Sequence, residues 1–181
     1  FDNCKQKGYP DAVTAEVWRQ TESFAGYAFS KGHSASYAVE SYQSLYLKAH
    51  YPMEFIIGVL NNGGGFYSTE MYLHEARMLG AEVESPCVNK SNLLSVLEGE
   101  NTIYIGFYLV RDLEERVVHA FLEERKKGGN FESLADFVNR CEISKEQLVI
   151  LVRVGAFRFS GKSKQELMWE VHRLLAGAKK T

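Results

Sequence analysis

Cysteine is scarce and unpaired: Cys4, Cys87 and Cys141 lie far apart, and no C-x-x-C occurs. An odd, scattered set excludes a disulfide framework and a zinc knuckle, and it fits a reducing, cytoplasmic compartment. No apolar run approaches the roughly 20 residues that a membrane span requires, so no membrane partner is expected. Phe1 to Gly8 is polar, which leaves no apolar core for a signal peptide. The first residue is not Met, which points to a piece of a longer protein. Charge of one sign is lacking too: the net charge is -2. A free-standing nucleic-acid binder is usually more basic, so composition argues weakly against DNA contact and leaves only a local basic patch open.

Several chemical motifs are missing as well. No Walker A loop is present, because Gly161-Lys162-Ser163 lacks the preceding glycine and Gly63-Gly64-Gly65 lacks a following Lys-Ser. His33, His50, His74, His119 and His172 show no metal-ligand spacing, so no metal site is expected. No nucleophile–base constellation supports a small-molecule enzyme.

What is there is a foldable chain. A hydrophobic share of 45% excludes disorder, and 181 residues suffice for one or two domains at roughly 100–200 residues each. Helical periodicity dominates. Thr14 is expected to cap a helix running through Trp18 and Phe24. The glycines Gly26 and Gly32 are expected to interrupt the pattern between Phe24 and His33. A second helix follows from Ser34 to His50, and Pro52 starts a third with Phe55, Ile56, Val59 and Leu60 on its apolar face. Asn61-Asn62-Gly63-Gly64-Gly65 breaks the chain before a helix from Ser68 to Leu79, stopped by Gly80. Glu82 to Asn92 reads as an extended loop. Ser95–Leu97 and Thr102–Ile105 form a possible small hairpin. Helices are expected again over Leu113–Lys127, Leu134–Cys141, Lys145–Val154 and Lys164–Leu175.

Blocks of this sequence resemble a known family. Phe24 through Ala38 is similar to the fingers signature of the bacterial C-family DNA polymerases, the DNA polymerase III alpha subunit group. The likeness continues through Ser41-Tyr42-Gln43, Leu47 to Phe55, Glu75 to Gly80, Val88-Asn89-Lys90-Ser91, Asn130 to Phe137 and Val154 to Phe157, in the family's order. The resemblance implies a mainly α fold: a helical fingers portion over residues 1–80, a connector with at most a short β-hairpin over 81–110, and a helix-hairpin-helix-type module over 111–181. It implies a fragment of a DNA-directed DNA polymerase, a nucleotidyltransferase. Its partners would be primer-template DNA, a deoxynucleoside triphosphate, and the parent's sliding clamp and other replisome subunits.

The residues give that resemblance a physical reading. Lys31 and His33 offer donors at a helix start, where anions are favoured, and Tyr27 and Tyr37 offer flat faces. The family likeness implies that Tyr27, Lys31 and His33 help bind the incoming nucleotide. Ala28, Ser30 and Gly32 depart from the family's usual glycine, asparagine and serine. The competing reading makes Phe24, Tyr27, Phe29 and Tyr37 core aromatics around a helix junction.

A helix-hairpin-helix grips phosphate through turn N–H groups, with glycines allowing close approach. The first turn should fall at Val110–Glu114, where Arg111 is kept and Asp112 and Glu114 stand in place of glycines. Two carboxylates repel phosphate. Asp112 is instead expected to cap the helix that follows, with Glu115 extending the arrangement. The second turn, Arg153 to Phe157, keeps Gly155. The DNA-contact candidates are therefore Arg111, Arg153 and Gly155, although Gly155 serves equally well as a helix stop. Arg125-Lys126-Lys127 reads as a solvated helix end, with DNA backbone contact as its alternative.

No D-x-D pair occurs, so the aspartates that hold Mg2+ in such polymerases are expected outside this chain, in the parent's palm, and the fragment alone should be inactive. The alternative is a non-catalytic helical interaction module that kept the fold and lost DNA contact.

Overall fold

The computed structural model describes residues 1–28 and 30–177, and the chain divides into two compact units, Phe1–Tyr46 and Leu47–Thr181.

The first unit contains α1 (Asp2–Gln6), α2 (Asp11–Ala28) and the start of α3 (Lys31–His50). α2 begins four residues before the expected position. The Pro10 carbonyl accepts the N–H groups of Val13 and Thr14, and the Thr14 hydroxyl folds back onto the same carbonyl. Thr14 is thus inside the helix and caps nothing. Gly26 and Gly32 also lie within helices. A helical glycine costs only about 1 kcal/mol, and the break falls instead beside Ser30. The Ser30 hydroxyl oxygen accepts the His33 N–H at 3.3 Å, and the Ser30 carbonyl accepts Ser34 N–H, so Ser30 starts α3 at Lys31, three residues earlier than expected.

In the second unit α4 (Pro52–Asn61) opens on Pro52, whose fixed φ suits a first helical position. Its Met53, Ile56 and Leu60 bury against Ala76 of α5 (Thr69–Met78), Ala81 and Ile103. Ser68 caps α5 by accepting the Met71 N–H. The expected hairpin is present as β2 (Val96–Glu98) antiparallel to β3 (Thr102–Tyr104). It gains a third strand, because β1 (Glu82–Glu84) runs parallel to β3 on its other edge. Two glutamates in three residues give no strand signal. The pairing comes from β3, twenty residues downstream, and tertiary context overrides local composition.

The larger core lies under α6 (Glu115–Gly128), α7 (Leu134–Arg140), α8 (Lys145–Arg153) and α9 (Lys164–Gly177). Phe107, Phe121, Phe131, Phe137 and Phe157 meet there with ring centroids 4.8–5.6 Å apart, mostly edge to face, which is the favoured arrangement for aromatic pairs. Ser133 and Ser144 cap α7 and α8 with their hydroxyl oxygens. Ser163 and Glu166 form a reciprocal capping box at α9.

The Val88–Asn92 segment is stitched to this core. Asn89 exchanges two hydrogen bonds with the Phe131 backbone, at 2.9 and 2.8 Å. Arg125 donates to the Val88 and Ser91 carbonyls at 2.8 Å each and to Asn92 Oδ1. Arg125 is therefore a half-buried structural clamp and not a solvated cation, and its burial lowers its pKa below the ordinary value. Lys126 and Lys127 pair with Glu123 and Glu124 on the same helix surface.

Candidate nucleic-acid interface

The first turn keeps the hairpin shape without glycine. Asp112 sits at φ 62°, the left-handed region that L-residues other than Asn and Asp rarely visit. In that conformation Asp112 does not cap the following helix. Glu114 is the N-cap residue of α6, and its side chain makes no capping bond. The brace comes from α8. Gln147 accepts the Glu114 N–H at 2.8 Å and donates to the Asp112 carbonyl at 3.0 Å. Beside it Arg111 projects with 95% of its side chain exposed.

The second turn closes α8. Gly155, at φ 80°, donates to the Val152 carbonyl at 3.0 Å, and Ala156 donates to the Leu151 carbonyl at 2.9 Å. This pair of bonds is a Schellman motif, so both N–H groups are already used by the helix end. Lys164 donates to the Arg153 carbonyl at 2.7 Å, and the Arg153 side chain is exposed. Phe157 goes fully into the core.

The two turns meet along one surface. A groove of about 590 Å³ is lined by Leu73, Ile105, Leu109, Val110, Ile150 and Val154, and Arg111, Asp112 and Arg153 all border it. An adjoining hollow of about 420 Å³ shares Asp112, Ile150 and Arg153 and adds Lys145. Arg111 and Arg153, 42 positions apart in the chain, thus flank one aliphatic channel. Sequence reasoning named both arginines without any signal that they converge. It missed Gln147 altogether, because an amide in an amphipathic helix carries no mark of its partner. A larger groove of about 760 Å³ runs beside α6, with Glu114, Glu123, Glu124 and Glu142 in its lining. Arg116, Lys127 and Arg140 line it as well, so its charge is mixed.

In the first unit, Lys31 and His33 occupy the first turn of α3 and are exposed. The His33 ring meets Tyr37 edge to face at 4.4 Å. The Tyr27 side chain and Phe29 lie outside the described residues. Phe24 and Tyr37 are 69% and 56% exposed, so they are not core aromatics within this chain.

Among the described residues no three His, Cys, Asp or Glu side chains converge as a metal site would require. No helix among them is long and apolar enough to cross a membrane. Burial pushes the Cys141 thiol up to about 11, which suppresses the thiolate that a nucleophile needs.

Turns, braces and core together define a helix-hairpin-helix class of module, and the family model described as "Helix-hairpin-helix motif" matches residues 80–167. The wider relationship extends into both units. The chain is 36% identical over 169 residues to DNA polymerase III subunit alpha of Aquifex aeolicus, which covers 92% of this chain and 15% of that protein. It is 35% identical over 182 residues to the subunit of the same name from Thermus aquaticus, covering 98% of this chain and 15% of the relative. An error-prone DNA polymerase of Mycolicibacterium paratuberculosis is 33% identical over 164 residues, covering 90% of this chain and 15% of the relative. The chain is homologous to a segment of the DNA polymerase III alpha subunits, and it spans about 15% of the length of these relatives.

Proposed function

We propose that this chain is the nucleotide- and duplex-contacting part of a DNA-directed DNA polymerase of the DNA polymerase III alpha type. Residues 1–80 would serve as its fingers portion and 111–181 as its duplex grip, joined by 81–110. The observation that carries this reading is the convergence of Arg111 and Arg153 on one aliphatic groove between the two hairpin turns. Deoxyribose edges suit such a floor, and two guanidinium groups suit successive phosphates. Gly155 permits close approach of the strand to the second turn. Lys31, His33 and Tyr27 would meet the incoming deoxynucleoside triphosphate. The carboxylates that hold Mg2+, and the surfaces for sliding clamp and replisome subunits, would belong to other parts of a cytoplasmic parent enzyme. The described residues offer no carboxylate cluster that fits a magnesium ion. Alone, the chain is expected to lack polymerase activity.

The test is binding of the 181-residue chain to labelled primer-template DNA across a salt series. Affinity should fall linearly on a log–log plot, and Arg111→Ala or Arg153→Ala should each flatten the slope by about 0.9, one phosphate contact. Absence of binding at low salt would favour the second reading, a helical interaction module that kept the fold and lost DNA contact. The Asp112 and Glu114 substitutions favour that reading. For the nucleotide contacts, Lys31→Ala and His33→Ala in the parent enzyme should raise the nucleotide KM, and an unchanged KM would remove them from the site.

A further inference from the structure

The start of a helix leaves backbone N–H groups without partners, and an anion oxygen is the usual guest. α6 has fourteen residues, and its N-cap residue supplies no capping side chain. The Glu114 N–H is nevertheless satisfied, by Gln147 Oε1 at 2.8 Å. The same side chain holds the Asp112 carbonyl through Nε2 at 3.0 Å. Gln147 is 7% exposed and stands in the first turn of α8, fixed there by its own N–H to Ser144 Oγ.

A primary amide suits this place because it carries an acceptor and a donor in one plane. Glutamate would accept the N–H but turn a carboxylate oxygen toward the Asp112 carbonyl. An aliphatic side chain would fill the volume and leave both backbone groups unpaired.

We propose that Gln147 is an internal ligand that closes the first hairpin turn at one point: its amide oxygen takes the place of a phosphate oxygen at the Glu114 N–H, and its Nε2 group holds the Asp112 carbonyl on the other side. The Glu114 N–H is then taken, and the exposed Arg111 stands beside it as the turn's cation. Duplex contact at this end then rests on the guanidinium rather than on the Glu114 N–H. Gln147 is a positioning residue, and it decides between a backbone-bound and a side-chain-bound phosphate. This deepens the duplex-contact reading and rests on it for its biological consequence, although the closure itself can be measured without DNA.

Two obstacles to phosphate must be separated, the charges of Asp112 and Glu114 and the occupancy by Gln147. Two forms of the 181-residue chain do so: Asp112→Gly with Glu114→Gly, and the same pair with Gln147→Ala added. The probe is inorganic phosphate, followed through the NMR shift of the amide at position 114. The double variant should show no saturable shift. The triple variant should show one, and its duplex-binding salt slope should steepen by about 0.9 relative to the double. Saturation in the double variant would overturn the proposal, since charge alone would then have been the block. Absence of saturation in the triple would overturn it as well, since the turn would be no anion site. Should Gln147→Ala unfold the module, Gln147→Met preserves side-chain volume and asks the same question. Loss of all duplex binding alongside a retained phosphate shift would sink the DNA reading and leave the closure standing.

Discussion

At the scale of single residues, Asp112 carries a conflict that its neighbours resolve. A left-handed backbone costs an L-residue roughly 1–2 kcal/mol, least for Asp and Asn, and glycine avoids that cost while losing more chain entropy on folding. The Asp112 carboxylate offers little in return. It is 81% exposed and lies 3.9 Å from a still more exposed Arg111, a pair worth next to nothing in water. Asp112→Gly should therefore raise stability by about 0.5–1 kcal/mol, read as a higher urea midpoint at unchanged slope. A lower midpoint would mean that the carboxylate holds the turn in a way that no bond in the structure shows. A carboxylate at a former glycine position looks in sequence like a helix cap, because Asp is a favoured N-cap. Only the backbone dihedral shows that the residue instead fills the role glycine would have had. That distinction was not legible beforehand.

At the scale of elements, the helices followed from periodicity and punctuation. Pro52 opens α4 as expected, and Ser68, Ser144 and Ser163 cap their helices. Legibility failed where the decisive partner is distant. β1 exists because β3 pairs with it, and the Val88–Asn92 segment is ordered by Arg125, more than thirty positions away. Arg125 sat in a basic run and looked solvated, since sequence shows charge but not the carbonyls waiting for it. Its removal tests the point. Arg125→Ala would leave the Val88 and Ser91 carbonyls without their donor and open space under α6. At about 1–3 kcal/mol for each unsatisfied buried group, the loss should reach roughly 2–4 kcal/mol by urea unfolding. Lys126→Ala and Lys127→Ala, which lose only exposed pairs, should each change stability by less than about 0.5 kcal/mol. Equal effects at the three positions would return Arg125 to the surface.

At the scale of the whole molecule, the two units differ in what they bury. The second has two hydrophobic clusters, one anchored by five phenylalanines. In the first, every described side chain is exposed except Cys4 and Thr14, which are half-buried. α2 and α3 present Val17, Trp18, Phe24, Tyr37, Val39, Tyr42 and Leu45 to solvent. Helices of eighteen and twenty residues are marginal in water when no apolar face is covered. Large apolar faces of this kind mark contact surfaces. Amide exchange of the chain by itself should show this asymmetry. Amides of α6, α7 and α8 should exchange only through global opening, whereas those of Phe1–Tyr46 should exchange within a few tens-fold of the unstructured rate, because no buried area offsets the chain entropy of ordering them. Protection in α2 equal to that in α6 would mean that these apolar faces find cover within the isolated chain, and the first unit would then be a folded body in its own right.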